Sequence, residues 1–191
     1  MMSDEKKFIP HKAQKGNRPK IEDVITCCLD GYLQKEALDF AVFMRQNKMP
    51  FKLHTSTTRA QRASYNGYEI CIIQVAGKDN DGFHPGEPQH WSISPKLYGI
   101  DRYDELAISE GLDNIHWEIT RYCVFKDNPD RTDVNKSCDI CKRITNRTIF
   151  GNEYKGLCHH YWPTFINPDE TTVRTIKKLL KLEQNARDAD N

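Results

Sequence analysis

The fold is decided by residues 63–75, which read ASYNGYEICIIQV. The pair Asn66-Gly67 between two β-favouring runs is a strong signal for a type I′ hairpin, because both central residues of that turn adopt positive φ. The second arm, 68–75, is apolar at most positions, which predicts a central strand covered on both faces. Cys71 in this arm is therefore predicted to be a core residue rather than a nucleophile.

Further extended segments are predicted at 51–55, 90–94, 115–125 and 161–166. In 90–94, Trp91 and Ile93 fall on one side of the strand and His90 falls on the other, because side chains alternate across a sheet. The segment 115–125 alternates in the same way. Its polar side, together with His90, supplies the candidate binding residues His90, His116, Glu118 and Tyr122.

Helical periodicity begins at Ile21, breaks at Asp30-Gly31 and ends near Asn47. A terminal helix is predicted after Asn167 as N-cap, with Pro168 at its first position. Short hairpins with helices mainly at the ends predict an α+β fold. Its antiparallel sheet packs against the N- and C-terminal helices, and it carries a zinc-knuckle hairpin.

The zinc knuckle is predicted from a C-x2-C pair and a returning cysteine. Thiolates are preferred zinc ligands, and a C-x2-C turn presents two sulfurs to one tetrahedral ion. Residues 142–157 predict a hairpin with its turn at Gly151-Asn152. The fourth ligand stays open between Cys123, His159 and His160, and Cys123 is favoured because the 115–125 strand leads to it. The predicted structural Zn²⁺ ligands are Cys123, Cys138, Cys141 and Cys158.

Composition narrows the class of protein. The 191 residues carry a formal net charge of +1, which argues against a polyanion binder driven by bulk charge. Seven cysteines are an odd number and suit thiols or metal ligands in a reducing compartment better than a disulfide framework. No apolar run approaches the roughly 20 residues that span a bilayer. A cytoplasmic location without membrane insertion is therefore expected.

Three segments are predicted along the chain. Residues 1–20 form a flexible basic leader, because lysines and arginines outnumber acids there and prolines disfavour a helix. Residues 21–184 form a single α+β domain that includes the cysteine-rich zinc-knuckle segment 123–160. Residues 185–191 form a frayed tail.

The layout resembles an uncharacterised family of small bacterial proteins, of the domain-of-unknown-function kind, with a C-terminal cysteine cluster. The matching features are the helix end at 39–48, the extended segment 68–75, the C-x2-C at Cys138, the Phe150-Gly151 turn and the helix opening at 167–170. The resemblance covers residues 30–184. It implies that the cysteine cluster is a family feature, and it carries no activity or substrate.

The predicted function is a small binding or regulatory module that uses zinc structurally and binds an unidentified small molecule or protein. One alternative is a zinc- or thiol-dependent enzyme with its site on the polar strand face. Another is a nucleic-acid-binding protein that uses the basic leader with Lys136, Lys142, Arg143 and Arg147. No phosphate-cradling glycine loop, dinucleotide fingerprint or H-E-x-x-H motif occurs in the sequence.

Overall fold

The predicted hairpin lies at the centre of a five-stranded antiparallel sheet, in which the segments 51–53, 60–65, 68–76, 90–95 and 165–166 are neighbours in that order. The computed structural model describes residues 20–53, 60–76, 90–114, 144–158 and 164–189. Asn66 and Gly67 have φ of 47° and 82°, as the predicted turn requires. The strands are β1 (Phe51–Leu53), β2 (Ala60–Tyr65), β3 (Tyr68–Ala76), β4 (His90–Pro95), β5 (Ile144–Ile149), β6 (Asn152–Cys158) and β7 (Phe165–Ile166).

One face of the five-stranded sheet is apolar. Val75 and Ile73 on β3 are register partners of Trp91 and Ile93 on β4, and all four are buried. The ring of Phe40 packs on this face, with its centroid 6.1 Å from that of Trp91. Burying large side chains such as these contributes about 1.5–3 kcal/mol each, so this layer supplies much of the apolar core on this side of the sheet.

Two helices precede the sheet in sequence, α1 (Ile21–Cys28) and α2 (Gly31–Gln46). The break falls at the predicted Asp30-Gly31, where Gly31 has a φ of 55° that favours glycine. The Gln34 side-chain amide donates to the Leu29 carbonyl over 2.6 Å and so satisfies backbone at the end of α1. An ion pair between Arg45 and Glu22 joins the two helices.

Residue contacts divide the chain into two compact units, Met1–Lys96 with Thr164–Lys177, and Leu97–Pro163 with Lys178–Asn191. In the second unit, the short helix α3 (Asp104–Ser109) follows a 3₁₀ turn at Ile100–Arg102. The strands β5 and β6 form a separate two-stranded antiparallel sheet. The observed architecture is therefore α+β.

The last helix, α4 (Glu170–Asp188), does not begin as predicted. Its cap is Asp169, whose carboxylate accepts the Thr172 N–H over 2.7 Å, and this bond lowers the pKa of Asp169. Asn167 has a φ of 44°, whereas an N-cap residue has extended backbone. Its side-chain oxygen instead accepts the Trp91 N–H over 3.0 Å, so Asn167 is bound to β4.

The described helices are short or carry many polar and charged residues. None of those in the described ranges combines the length and the apolar character needed to cross a bilayer.

Candidate functional site

The second face of the five-stranded sheet is the polar face, defined by the alternating residues that point away from Trp91 and Ile93. Residues paired in register share a face, so the strand alignments assign its members. Its members are Lys52, Ala60, Arg62, Ser64, Ile72, Gln74, Ala76, His90, Ser92, Ser94, Lys96 and Ile166, with Glu69 near the hairpin tip. Most are polar or charged, which agrees with the predicted alternation in β4.

Several polar side chains on this face are more deeply buried than polar residues usually are. His90 and Ser92 are each 3% exposed, and Lys96 is 8% exposed. Solvated faces of antiparallel sheets usually keep polar side chains in water. The predicted binding residue His90 therefore lies in a buried position on the polar face rather than on a half-solvated surface.

Glu69 is the centre of a charged cluster at one end of the polar face. Its Oε2 lies 2.8 Å from Nε of Arg62, and its Oε1 lies 4.0 Å from Nζ of Lys96. Burial lowers the pKa of Lys96, while the neighbouring Glu69 carboxylate opposes that shift by favouring the ammonium form. In this cluster, the cations of Arg62 and Lys96 thus share the carboxylate of Glu69.

A register shift between Ala63 and Ser64 brings this cluster onto the polar face. Ser64 pairs with Glu69, but Ala63 pairs with Cys71, so one residue of β3 is passed over. Without the shift, Glu69 would share a face with Cys71 and Ile73, because side chains alternate strictly. The shift therefore takes a carboxylate away from the apolar core, as β-bulges commonly do when they re-aim a side chain.

Cys71 lies on the apolar face and has no exposed surface, as the sequence predicts. Burial raises the pKa of its thiol above the ordinary value of 9.0, and the nearby Lys96 only partly offsets this. A reactive thiol needs the opposite shift, towards the thiolate. Cys71 is therefore unsuited to nucleophilic chemistry.

The β5–β6 hairpin makes its turn one residue earlier than predicted, at Phe150-Gly151 instead of Gly151-Asn152. Phe150 and Gly151 have φ of 51° and 71°, and Ile149 pairs with Asn152. The Asp104 carboxylate accepts both turn amides, Phe150 N–H and, over 3.1 Å, Gly151 N–H. This bidentate contact ties the hairpin turn to the first residue of α3.

At the other end of the hairpin, Cys158 is the last residue of β6 and the register partner of Ile144. The other predicted zinc ligands Cys123, Cys138 and Cys141, the alternatives His159 and His160, and the predicted binding residues His116, Glu118 and Tyr122 lie outside the described residues. Within the described ranges, no three His, Cys, Asp or Glu side chains are grouped closely enough to hold a metal ion. The zinc site stays a prediction.

The Glu69 cluster was not predicted from the sequence. The signal that was available is the alternation of Ser92 and Ser94 with Trp91 and Ile93, which extends to Lys96. The positions of Glu69 and Arg62 on this face could not be predicted from the alternation of side chains. A hairpin with regular pairing would place both residues on the opposite face.

Comparisons with protein-family models, with curated proteins and with solved structures found no match to this chain. The resemblance to the uncharacterised bacterial family therefore stays a prediction.

Proposed function

We propose that this chain is a small binding module in which a structural zinc ion closes the open end of the β5–β6 hairpin. Ligand binding takes place on the polar face, which includes His90 and the Glu69 cluster. The proposed ligands of the zinc ion are Cys138, Cys141 and Cys158 with Cys123, and the proposed location is the reducing cytoplasm.

The observation that carries the metal proposal is the strand register. Cys158 pairs with Ile144, and three peptide units separate Ile144 from Cys141. A chain spans at most about 3.6 Å per residue, so Cys141 has to lie within about 11 Å of Ile144. The register is therefore compatible with a metal site that Cys141 shares with Cys158. Three thiolates outweigh the charge of Zn²⁺, which favours a structural over a catalytic ion.

The stability of the hairpin also supports a metal. A two-stranded sheet alone is marginal in water. Asp104 holds the turn end, and the far end, at Ile144 and Cys158, is where the zinc ion would add its constraint. Binding of a metal to such a segment contributes its free energy directly to folding.

The alternative hypothesis is a thiol-dependent enzyme. Cys71 does not support it, because burial keeps its thiol protonated. The buried polar face favours a binding role instead, because a lysine held at 8% exposure beside a carboxylate forms a preorganised polar site.

The test is metal analysis of the full chain purified without chelator. About one zinc per chain is expected, and Cys138→Ser or Cys158→Ser should remove the metal and lower the unfolding temperature. The matched control is Cys27→Ser, which changes a half-buried helix cysteine outside the cluster and should keep the metal.

The fourth ligand is resolved in the same experiment. Cys123→Ser should lower zinc affinity as severely as Cys158→Ser, whereas His159→Ala and His160→Ala should be mild. The reverse ranking would assign the fourth position to a histidine. Protein that contains no zinc and in which Cys123, Cys138, Cys141 and Cys158 react freely in the native state would refute the metal proposal.

A further inference from the structure

The tip of the β2–β3 hairpin combines an asparagine, a glycine and open surroundings. Asn66 and Gly67 are both exposed, and Tyr68 beside them keeps 63% of its surface in solvent. A Cβ built on Gly67 would lie more than 4 Å from every atom of the described residues except its chain neighbours. Gly67 is therefore not covered by another part of the described chain.

Asn66-Gly67 is also the one Asn-Gly pair among the 191 residues. An asparagine that precedes a glycine loses its side-chain amide without an enzyme. The glycine nitrogen attacks the side-chain carbonyl carbon Cγ of the asparagine, and no Cβ on the glycine obstructs this approach. A bond forms between the nitrogen and Cγ, the C–N bond of the amide breaks, and ammonia leaves with the proton that the glycine nitrogen gives up. The product is a five-membered succinimide ring.

Water completes the reaction by opening the ring. Attack of water at Cγ gives aspartate, whereas attack at the backbone carbonyl carbon gives isoaspartate, whose backbone runs through Cβ and Cγ. In total, one water molecule is consumed and one ammonia molecule is released, so the reaction needs no oxidant or reductant.

The closed turn slows this reaction but does not prevent it. A two-residue turn is closed by the carbonyl of the residue before it and the N–H of the residue after it. Those residues are Tyr65 and Tyr68, which are register partners, so the closing contact does not use the Gly67 nitrogen. Ring closure needs rotation about the Cα–C bond of Asn66 and therefore an open turn. Hairpins form within about 1–10 μs, so the turn opens and recloses many times before the slow covalent step occurs.

We propose that Asn66-Gly67 is a site of spontaneous deamidation, whose isoaspartate product disrupts the β2–β3 register and the ion pair between Arg62 and Glu69 on the polar face. This inference is independent of the proposed zinc ion and of any ligand. The register of a hairpin is fixed by the type and length of its turn. Aspartate keeps both, because Asp-Gly favours the same type I′ turn. Isoaspartate adds one carbon atom to the backbone, so the two-residue turn no longer fits.

The ion pair lies close to the modified turn along both strands. Ser64 pairs with Glu69 between the turn and the register shift. Nε of Arg62 lies 2.8 Å from Oε2 of Glu69, and the two side chains are 46% and 24% exposed. An ion pair with this exposure contributes little to stability, and the rest of β3 stays buried in the core. We therefore expect the modification to alter the polar face without unfolding the sheet.

The test is incubation of the full chain in neutral and in mildly alkaline buffer, with peptide mapping by mass spectrometry at intervals. Asn66 should convert with first-order kinetics, and faster in the alkaline buffer because the nitrogen attacks after losing its proton. A protein isoaspartate methyltransferase should label the peptide that contains residue 66. Denaturant should accelerate the conversion severalfold, because it opens the turn.

Asn185 is the internal control. It is exposed like Asn66, but the nitrogen of the following Ala186 lies inside α4, where helical backbone keeps it away from Cγ. Asn185 should therefore remain intact in the folded protein. No conversion of Asn66, or conversion at the same rate as Asn185, would overturn the site.

NMR of the chromatographically separated forms tests the effect on the polar face. The isoaspartate form should show faster amide hydrogen exchange at Ser64 and Glu69 and a shifted Arg62 Nε–H resonance. Asn66→Asp reproduces the other product and should leave the exchange rates and the Arg62 resonance close to those of wild type. An isoaspartate form with wild-type exchange and a wild-type Arg62 resonance would overturn the effect on the register.

Discussion

Cys71 has no exposed surface, and desolvation keeps its thiol neutral in the folded chain. In the unfolded chain the same thiol ionises above pH 9.0, so the unfolded state then binds fewer protons than the folded state. The Cys71 thiol therefore contributes to the stability of the folded state below pH 9.0, and this contribution is lost as the pH rises above 9.0.

Cys71→Ala should therefore become less damaging as the pH rises. The difference in unfolding free energy between wild type and the variant should shrink by about 1.4 kcal/mol per pH unit above 9.0, measured by urea denaturation. Ile73→Val serves as the control, because it trims the same strand face without removing a titratable group. A difference that stays constant across this range would mean that the thiol ionises in the folded protein.

The turn of the β5–β6 hairpin is bound by one carboxylate, that of Asp104. Asp104 receives two turn amides, and removing it leaves the Phe150 and Gly151 N–H groups without this acceptor. Hydrogen bonds to a charged group contribute about 1.5–3 kcal/mol each when buried and less when partly exposed.

Asp104→Ala should lower the stability of the hairpin by about 1–3 kcal/mol. The direct readout is faster hydrogen exchange at the Phe150 and Gly151 amides. Glu105→Ala removes an adjacent exposed carboxylate from α3 and should leave both exchange rates unchanged. Equal acceleration in the two variants would attribute the effect to α3 rather than to the turn contact.

At the scale of the whole molecule, we expect the proposed zinc ion and the five-stranded sheet to make separate contributions to stability. A two-stranded sheet is marginal alone, whereas the five-stranded sheet has an apolar face packed on α2. Removing zinc with a chelator should accelerate exchange in β5 and β6 and leave β3 and β4 protected. Uniform acceleration throughout the chain would show instead that the metal controls global unfolding.

The sequence by itself determined the elements whose signals are local. Asn66-Gly67 predicts its hairpin because only a few residue pairs adopt positive φ twice in succession, and the break before Gly31 follows the same rule. The alternation around Trp91 assigned the two faces of β4, and the α+β class followed from the order of elements. The burial of Cys71 was also predictable, because its strand is apolar at most positions.

Only the tertiary structure decided where the charged cluster lies and how α4 begins. The one-residue shift between Ala63 and Ser64 brings Arg62 and Glu69 onto the same face as Lys96, and local propensity does not encode it. Asn167 was a good N-cap by residue type, but its bonds to Trp91 hold it in a left-handed conformation, and Asp169 caps the helix. In both cases, contacts between residues far apart in sequence outweigh local preference, because strand register and side-chain pairing depend on how the whole sheet packs.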